Sequence, residues 1–243
     1  SVMERWIAIF SKEGSMNIHI IQHVSFEEHG RIMDWIQENN HTVEIIKVFN
    51  GEPFPKAEEV SFLIVLGGPM SANDTEKWIQ DERHLIKQVV DSGKPMLGIC
   101  LGAQQLAKAY GSDIISTPKE VGWHSVTSLT QIFHPSKEYT VLHWHGEGFT
   151  KPCQWRTVYS TEKWENQGFR LFNAIGLQFH FEATKEIVNE IVEADSHSQF
   201  LSQSVFSVTK GKTIDFPVPD ENKDILFSIL NTLEREVKWV YSF

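Results

Sequence analysis

Met96-Leu-Gly-Ile-Cys-Leu-Gly-Ala-Gln-Gln105 passes from a short apolar run, through a cysteine set between two glycines, into helix-forming residues. A strand that turns sharply into a helix is the repeating unit of an α/β fold. Two readings of Cys100 are open at this point. It is a small apolar residue filling a tight corner, or a thiol that a strained turn holds clear of the sheet at a helix N-terminus, where thiolate is favoured.

Upstream, Ser61-Phe-Leu-Ile-Val-Leu66 is a continuous apolar run of the kind buried on both faces of a parallel sheet. Asn17 to Gln22 reads as a first core strand, and Thr42-Val-Glu-Ile-Ile-Lys-Val48 as a β-branched second one. Between these two, Ser25-Phe-Glu-Glu28 has the form of a capping box and predicts a helix running to about Asn39. Trp78, Ile79, Leu85, Ile86, Val89 and Val90 recur at helical spacing within Asp74 to Ser92, closed by Gly93 and Pro95. Gln104 to Tyr110 is the next expected helix, ended by Gly111. This alternation predicts an α/β protein with a doubly wound, mostly parallel sheet flanked by helices.

Beyond Ser112 the pattern becomes β-rich, with strands expected at Val121–Leu129, Tyr139–Trp144 and Ile175–Phe181. Ile187, Val188, Ile191 and Val192 mark an amphipathic helix, and Ser196 to Ser207 reads as a mobile stretch rich in serine and glutamine. Pro217-Val-Pro-Asp220 precedes a last helix over Asn222 to Val240, with Ile225, Leu226, Ile229, Leu230, Leu233 and Val237 on one side. The expected division is an N-terminal extension or leader over 1–15, a main domain over 16–192, and C-terminal helices over 193–243 that pack on that domain or on a partner.

Composition limits the function. The 243 residues are 41% hydrophobic, enough for one substantial core. Lysine and arginine total 22 against 32 acidic residues, a formal charge of -10 without a basic cluster, so nucleic acid and anionic membrane are not expected as partners. No apolar run approaches the ~20 residues of a membrane helix. Two cysteines, Cys100 and Cys153, do not make a secreted disulfide framework, so a cytoplasmic location is expected; Cys153 reads as structural.

Chemistry concentrates at three motifs. Gly67-Gly-Pro-Met-Ser71 and Gly98-Ile-Cys-Leu-Gly102 are glycine-bearing turns at predicted strand ends, where ligands of open α/β sheets bind. In Gly176-Leu-Gln-Phe-His-Phe-Glu182, His180 and Glu182 are two residues apart, which in extended chain puts both on one face. A carboxylate behind an imidazole fixes its tautomer, and the free nitrogen takes a proton from a thiol. Each motif alone is explained by ordinary loops and solvated strand faces; the combination is not.

Together these three motifs, in this order and at these distances, resemble the class I glutamine amidotransferases of triad type, with a flavodoxin-like fold, over about Met16 to Val192. His143-Trp-His-Gly-Glu-Gly-Phe149 and Trp164-Glu-Asn-Gln-Gly-Phe169 bring the chain nearest to free-standing proteins similar to the amidotransferase domain of GMP synthase. The resemblance implies Cys100 as nucleophile, His180 as general base and acid, Glu182 orienting His180, and the backbone N–H groups of Gly68 and Leu101 as oxyanion donors. It also implies that Gln104 and the segment Trp144, His145, Gly146 hold the substrate, which is glutamine or another γ-glutamyl amide. No cofactor is implied.

Departures from the family pattern are Phe181 where proline is usual, Ala103 where many relatives have histidine, and Glu147-Gly148 where the nearest have aspartate and threonine. Loss of the proline predicts a looser Glu182, and Glu147 puts the substrate pocket's contacts in question. The alternation of His143, His145 and Glu147 also permits a metal reading, but no third ligand is indicated and no metal is assigned. No ATP-pyrophosphatase loop or second catalytic motif follows, so an ammonia acceptor is expected on a separate synthetase subunit. Three classes remain: a glutaminase serving such a partner, a stand-alone γ-glutamyl hydrolase, and a non-catalytic binding protein on the same fold.

Overall fold

The computed structural model describes residues 14–135, 137–152, 154–196 and 199–240, with side chains of 237–240 left aside. The expected leader falls almost wholly outside these residues, as do Cys153 and the side chain of Val237.

Among the described residues nine strands form one sheet: β1 Asn17–Gln22, β2 Thr42–Lys47, β3 Phe62–Val65, β4 Met96–Ile99, β5 Ile114–Ser128, β6 Glu138–Phe149, β7 Arg156–Ser160, β8 Gly168–Leu171 and β9 Ala174–Leu177. Their order is β2-β1-β3-β4-β9-β8-β7-β5-β6. The first five in that order pair in parallel and the rest antiparallel, so the β-rich half continues the parallel sheet. Among the described residues six α-helices accompany them: α1 Ile32–Glu38, α2 Lys77–Asp91, α3 Leu101–Ala109, α4 Lys185–Ala194, α5 Lys210–Asp215 and α6 Glu221–Val240.

The uninterrupted apolar runs exist because both faces of the parallel half are covered. Along β3, Phe62 and Ile64 face one core with Trp35 of α1 and with Ile225, Leu226, Ile229, Leu230 and Leu233 of α6. Leu63 and Val65 face the opposite core with Leu85, Ile86 and Val89 of α2 and Leu106 of α3. A fully buried aliphatic side chain contributes about 1.5–3 kcal/mol, so α6 is a substantial part of the first core. Trp35 also ties α1 to α6, donating from Nε1 to Asn231 Oδ1 at 2.8 Å.

Two expectations are corrected. Ser25 does not begin a helix: α1 starts only at Ile32. The chain is bent at Gly30, where φ is +52° and an added Cβ would lie 2.1 Å from the Glu182 carbonyl oxygen, and Arg31 N–H donates to that same oxygen at 3.1 Å. The strand expected to reach Phe181 ends at Leu177, because its neighbour β4 ends at Ile99 and the chain turns away at Cys100. In the stretch rich in serine and glutamine, Leu201 is buried and Phe206 stacks on His124 at 4.0 Å, while Ser202, Gln203 and Val205 are exposed.

Sequence pattern missed β7 and β8, each only four or five residues long, and the short helix α5.

Candidate active site

Three adjacent parallel strands, β3, β4 and β9, deliver the three motifs to the same edge of the sheet, beyond their carboxyl ends. Cys100 follows β4 directly with φ 52° and ψ -108° and is the N-cap of α3. A non-glycine residue in that region is strained and persists only when its surroundings hold it. Here Cys100 N–H donates to Leu177 O at 2.8 Å, and Gly102 lies so close to β3 that an added Cβ would be 2.0 Å from Val65 O.

Gly67 and Gly68 lie beside this bend. A Cβ on Gly67 would be 3.3 Å from Cys100 Cβ, and one on Gly68 would be 3.3 Å from Leu101 Cδ2. Leu101 opens α3, so its N–H has no acceptor within the helix.

His180 comes from the segment after β9, held by its N–H to Leu142 O at 3.0 Å. Its Nδ1 donates to Glu182 Oε1 at 2.6 Å, with both side chains buried. Nε2 is buried and makes no hydrogen bond of normal geometry with the protein. Burial opposes the imidazolium, but Glu182 and then Cys100 outweigh it and hold the His180 pKa well above the usual histidine value. In place of a proline, Phe181 is anchored among Phe179, Tyr159 and Tyr139 at ring distances of 4.9, 5.8 and 6.5 Å.

A cavity of about 660 Å³ opens at Cys100, lined also by Gly68, Gln104, Trp144, His145 and Gly146. Every residue proposed from sequence to meet the substrate or its oxyanion therefore borders one space, apart from Leu101, which follows Cys100 as the first residue of α3. Gln104 is engaged with the protein: Nε2 donates to Glu147 O at 3.1 Å and to Gln178 Oε1 at 3.2 Å. The Glu147 carboxylate accepts from Ser71 Oγ at 3.2 Å. Gly148 leaves room for Trp164, whose Nε1 would be 2.7 Å from an added Cβ.

Several site residues escaped the sequence reading. Gln178 Nε2 donates to Cys100 Sγ at 3.6 Å, while the thiol itself lies 3.7 Å from Trp144 O; position 178, two before His180, was the available signal. Glu27 borders the cavity under the glycine turn, and burial raises its pKa against the pull of His180 and His23. Lys119, Asp195 and Phe200 also line the cavity. Nothing in their local sequence marks them.

The metal reading is changed by the register. Glu147 is turned towards Ser71, whereas Glu120 of β5 is paired directly with His145 and lies in one buried group with His143 and His145. Burial drops the His143 pKa to about 3 despite the Glu120 charge. Burial would raise the Glu120 pKa, but close contact with His145 and the hydrogen bond from Thr161 Oγ1 outweigh it, so the pKa is lowered and Glu120 stays a carboxylate.

The family model for class I glutamine amidotransferases matches residues 27–195. The glutamine amidotransferase-like protein YfeJ of Salmonella typhimurium is 32% identical over 199 residues, covering 76% of this chain and 82% of that protein. A GMP synthase [glutamine-hydrolyzing] of Pelodictyon phaeoclathratiforme is 31% identical over 155 residues, 58% of this chain but 28% of that longer protein. γ-Glutamyl peptidase 5 of Arabidopsis thaliana is 23% identical over 201 residues, covering 76% and 79%. Among solved structures, a glutamine amidotransferase from Thermotoga maritima superimposes with a TM-score of 0.81 at 30% identity, covering 90% of this chain and 98% of that one.

Proposed function

The chain belongs to the class I glutamine amidotransferase family, and from that premise we propose that Cys100, His180 and Glu182 hydrolyse the γ-carboxamide of glutamine through a glutamyl thioester. The observation that carries this reading is the buried Glu182–His180 contact of 2.6 Å beside a cysteine held at positive φ on a helix N-terminus.

Cys100 loses its proton to His180, and the sulfur attacks the carboxamide carbon. Negative charge develops on the former carbonyl oxygen, opposite the N–H groups of Gly68 and Leu101. As the C–N bond breaks, His180 returns the proton to nitrogen and ammonia leaves. Water, deprotonated by His180, then attacks the thioester; the C–S bond breaks, the proton goes back to sulfur, and glutamate is released. Glu182 orients the imidazole and stabilises its charged form throughout. Gln178 donates to the sulfur and stabilises its thiolate. Trp144, His145, Gly146 and Gln104 form the wall against which the amino-acid end of the substrate lies.

Ammonia released here serves a separate synthetase subunit. A second reading, direct hydrolysis of γ-glutamyl peptides, is favoured by one observation: 660 Å³ is in the range of sites for drug-sized ligands, about 300–1,000 Å³, and exceeds what one glutamine fills.

The test is intact-mass detection of labelling by a diazo-ketone analogue of glutamine, in the native protein and in Cys100→Ala and His180→Ala. Stoichiometric labelling lost in Cys100→Ala is expected, with ammonia released from glutamine. If Cys100 reacts with a small alkylator but not with the analogue, glutamine is not the substrate, and release of amino acids from γ-glutamyl dipeptides decides for the second reading. Failure of both leaves a non-catalytic protein.

A further inference from the structure

Glu120, His143 and His145 place one potential ligand atom each within 4.8 Å of the others, and all three side chains are buried. The grouping follows from the ladder. Glu120 sits opposite His145 where the β5–β6 register resumes after the irregularity between Ser116 and Glu120. Cross-strand partners share a face, and His143, two residues before His145, shares it as well. Opposite His143 stands Gly122, which contributes no side chain to crowd the imidazole.

Hydrogen bonding leaves the group incomplete in a specific way. His143 is a fully buried ring between Phe179 and Phe206; the Ser125 backbone lies near it, but neither ring nitrogen makes a hydrogen bond of normal geometry. His145 donates from Nδ1 to Glu147 O at 3.2 Å, so Nε2 is the nitrogen left without a hydrogen bond, 3.3 Å from Glu120 Oε1. Buried polar atoms are nearly always satisfied, and those that are not call for an ion or water. The carboxylate is itself held in place: Gln167 Nε2 donates to Oε1 at 2.6 Å and Thr161 Oγ1 to Oε2 at 2.8 Å. A histidine with one nitrogen anchored, as His145 is, and a hydrogen-bonded carboxylate are the supporting arrangement of metal ligands.

The geometry points to a divalent transition-metal site, of which zinc is the best fit, formed by Glu120, His143 and His145. Two nitrogens and one oxygen suit four-coordinate zinc with water in the last position. Bonds of about 2.0–2.2 Å hold ligand atoms roughly 3.4 Å apart, so small side-chain rotations close the three on an ion. The ion pins β5 to β6 at Glu120 and His145, in the strand that also brings Trp144 and Gly146 to the cavity. This site shares His145 with the wall of the Cys100 cavity, and its test reads metal uptake rather than the activity proposed for Cys100.

The test titrates the chelator-treated full chain with cobalt(II), followed by displacement with zinc. One equivalent is expected, with the intense d–d bands of four-coordinate cobalt and no thiolate-to-cobalt charge-transfer band, and zinc is expected to raise the melting temperature. Cys100→Ala keeps the site, and His143→Gln lowers zinc affinity by more than about 100-fold, beyond the loss of an outer-shell partner. No stoichiometric uptake, a thiolate band, or uptake that disappears in Cys100→Ala overturns the proposal. Should His143→Gln fail to fold, the native cobalt spectrum and Cys100→Ala still decide.

Discussion

His23 Nε2 lies 2.6 Å from Glu82 Oε2, with both side chains sealed from solvent, and His23 Nδ1 donates to the carbonyl of Gly67 at 3.0 Å. With a carboxylate on one nitrogen and a carbonyl on the other, the ring is an imidazolium. Gln105 Nε2 adds a contact of 3.3 Å to Glu82 Oε1. This buried pair joins the end of β1 to α2 and α3 and fastens the Gly67-Gly68 turn beside Cys100 from behind. Removing one partner of a buried pair destabilises by about 3–5 kcal/mol. Glu82→Ala is expected near the lower figure, because His23 can neutralise by losing its proton; urea unfolding measures it.

The same pair sets a dependence on pH. Burial lowers the His23 pKa, but Glu82 outweighs it and the net value is raised, as it is for His180. A raised folded-state pKa contributes stability that is whole below the unfolded value of about 6.5 and is lost as pH rises through the folded value. Melting temperature should therefore fall on the alkaline side. Glu82→Gln should flatten that fall in part, and His180→Gln in the double variant should remove most of the remainder.

Glu182→Gln keeps the shape of the side chain and removes its charge from His180 Nδ1. A loss of roughly 10³–10⁴-fold in kcat for amide hydrolysis is expected, with KM little changed. Steady-state ammonia release checks this, and a loss below tenfold would remove Glu182 from the mechanism.

Phe181 replaces a rigid φ with packing. Phe181→Ala is expected to destabilise by about 3–5 kcal/mol and to lower kcat as well, since the residue lies between His180 and Glu182. Phe133→Ala, in the same core but remote from those two in sequence, should lower stability without a matching loss of kcat; paired unfolding and rate measurements separate the two effects.

Gly102→Ala puts a Cβ 2.0 Å from the Val65 carbonyl oxygen, against backbone that cannot rotate aside. A destabilisation of about 3 kcal/mol or more is expected. Gly211, in α5 with nothing within 4 Å of an added Cβ, is the control: Gly211→Ala should stabilise by roughly 0.5–1 kcal/mol. Thermal melts of both variants provide the comparison.

Much of the parallel half could be read from local pattern because its strands are buried on both faces. Phe62–Val65 and Met96–Ile99 are apolar at every position except Gly98, and α2 and α6 carry long periodic faces. The Ser25 capping box misled because its local preference lost to a contact far away in sequence, the Glu182 carbonyl against Gly30. Strands β7 and β8 were too short for a period to register.

The residue types and order at Gly67-Gly68, Cys100, His180 and Glu182 are properties of the sequence, and they determine the family and the chemistry available, because a thiol, an imidazole and a carboxylate have those reactivities wherever they lie. Which of them meet was decided by tertiary structure. The order of β3, β4 and β9 puts three motifs at one sheet edge, the β5–β6 register exchanges Glu147 for Glu120 beside His143 and His145, and burial, the largest of several causes, drives the His143 pKa down to about 3. Register, burial and long-range pairing are set by the whole chain at once, so no local stretch of sequence contains them.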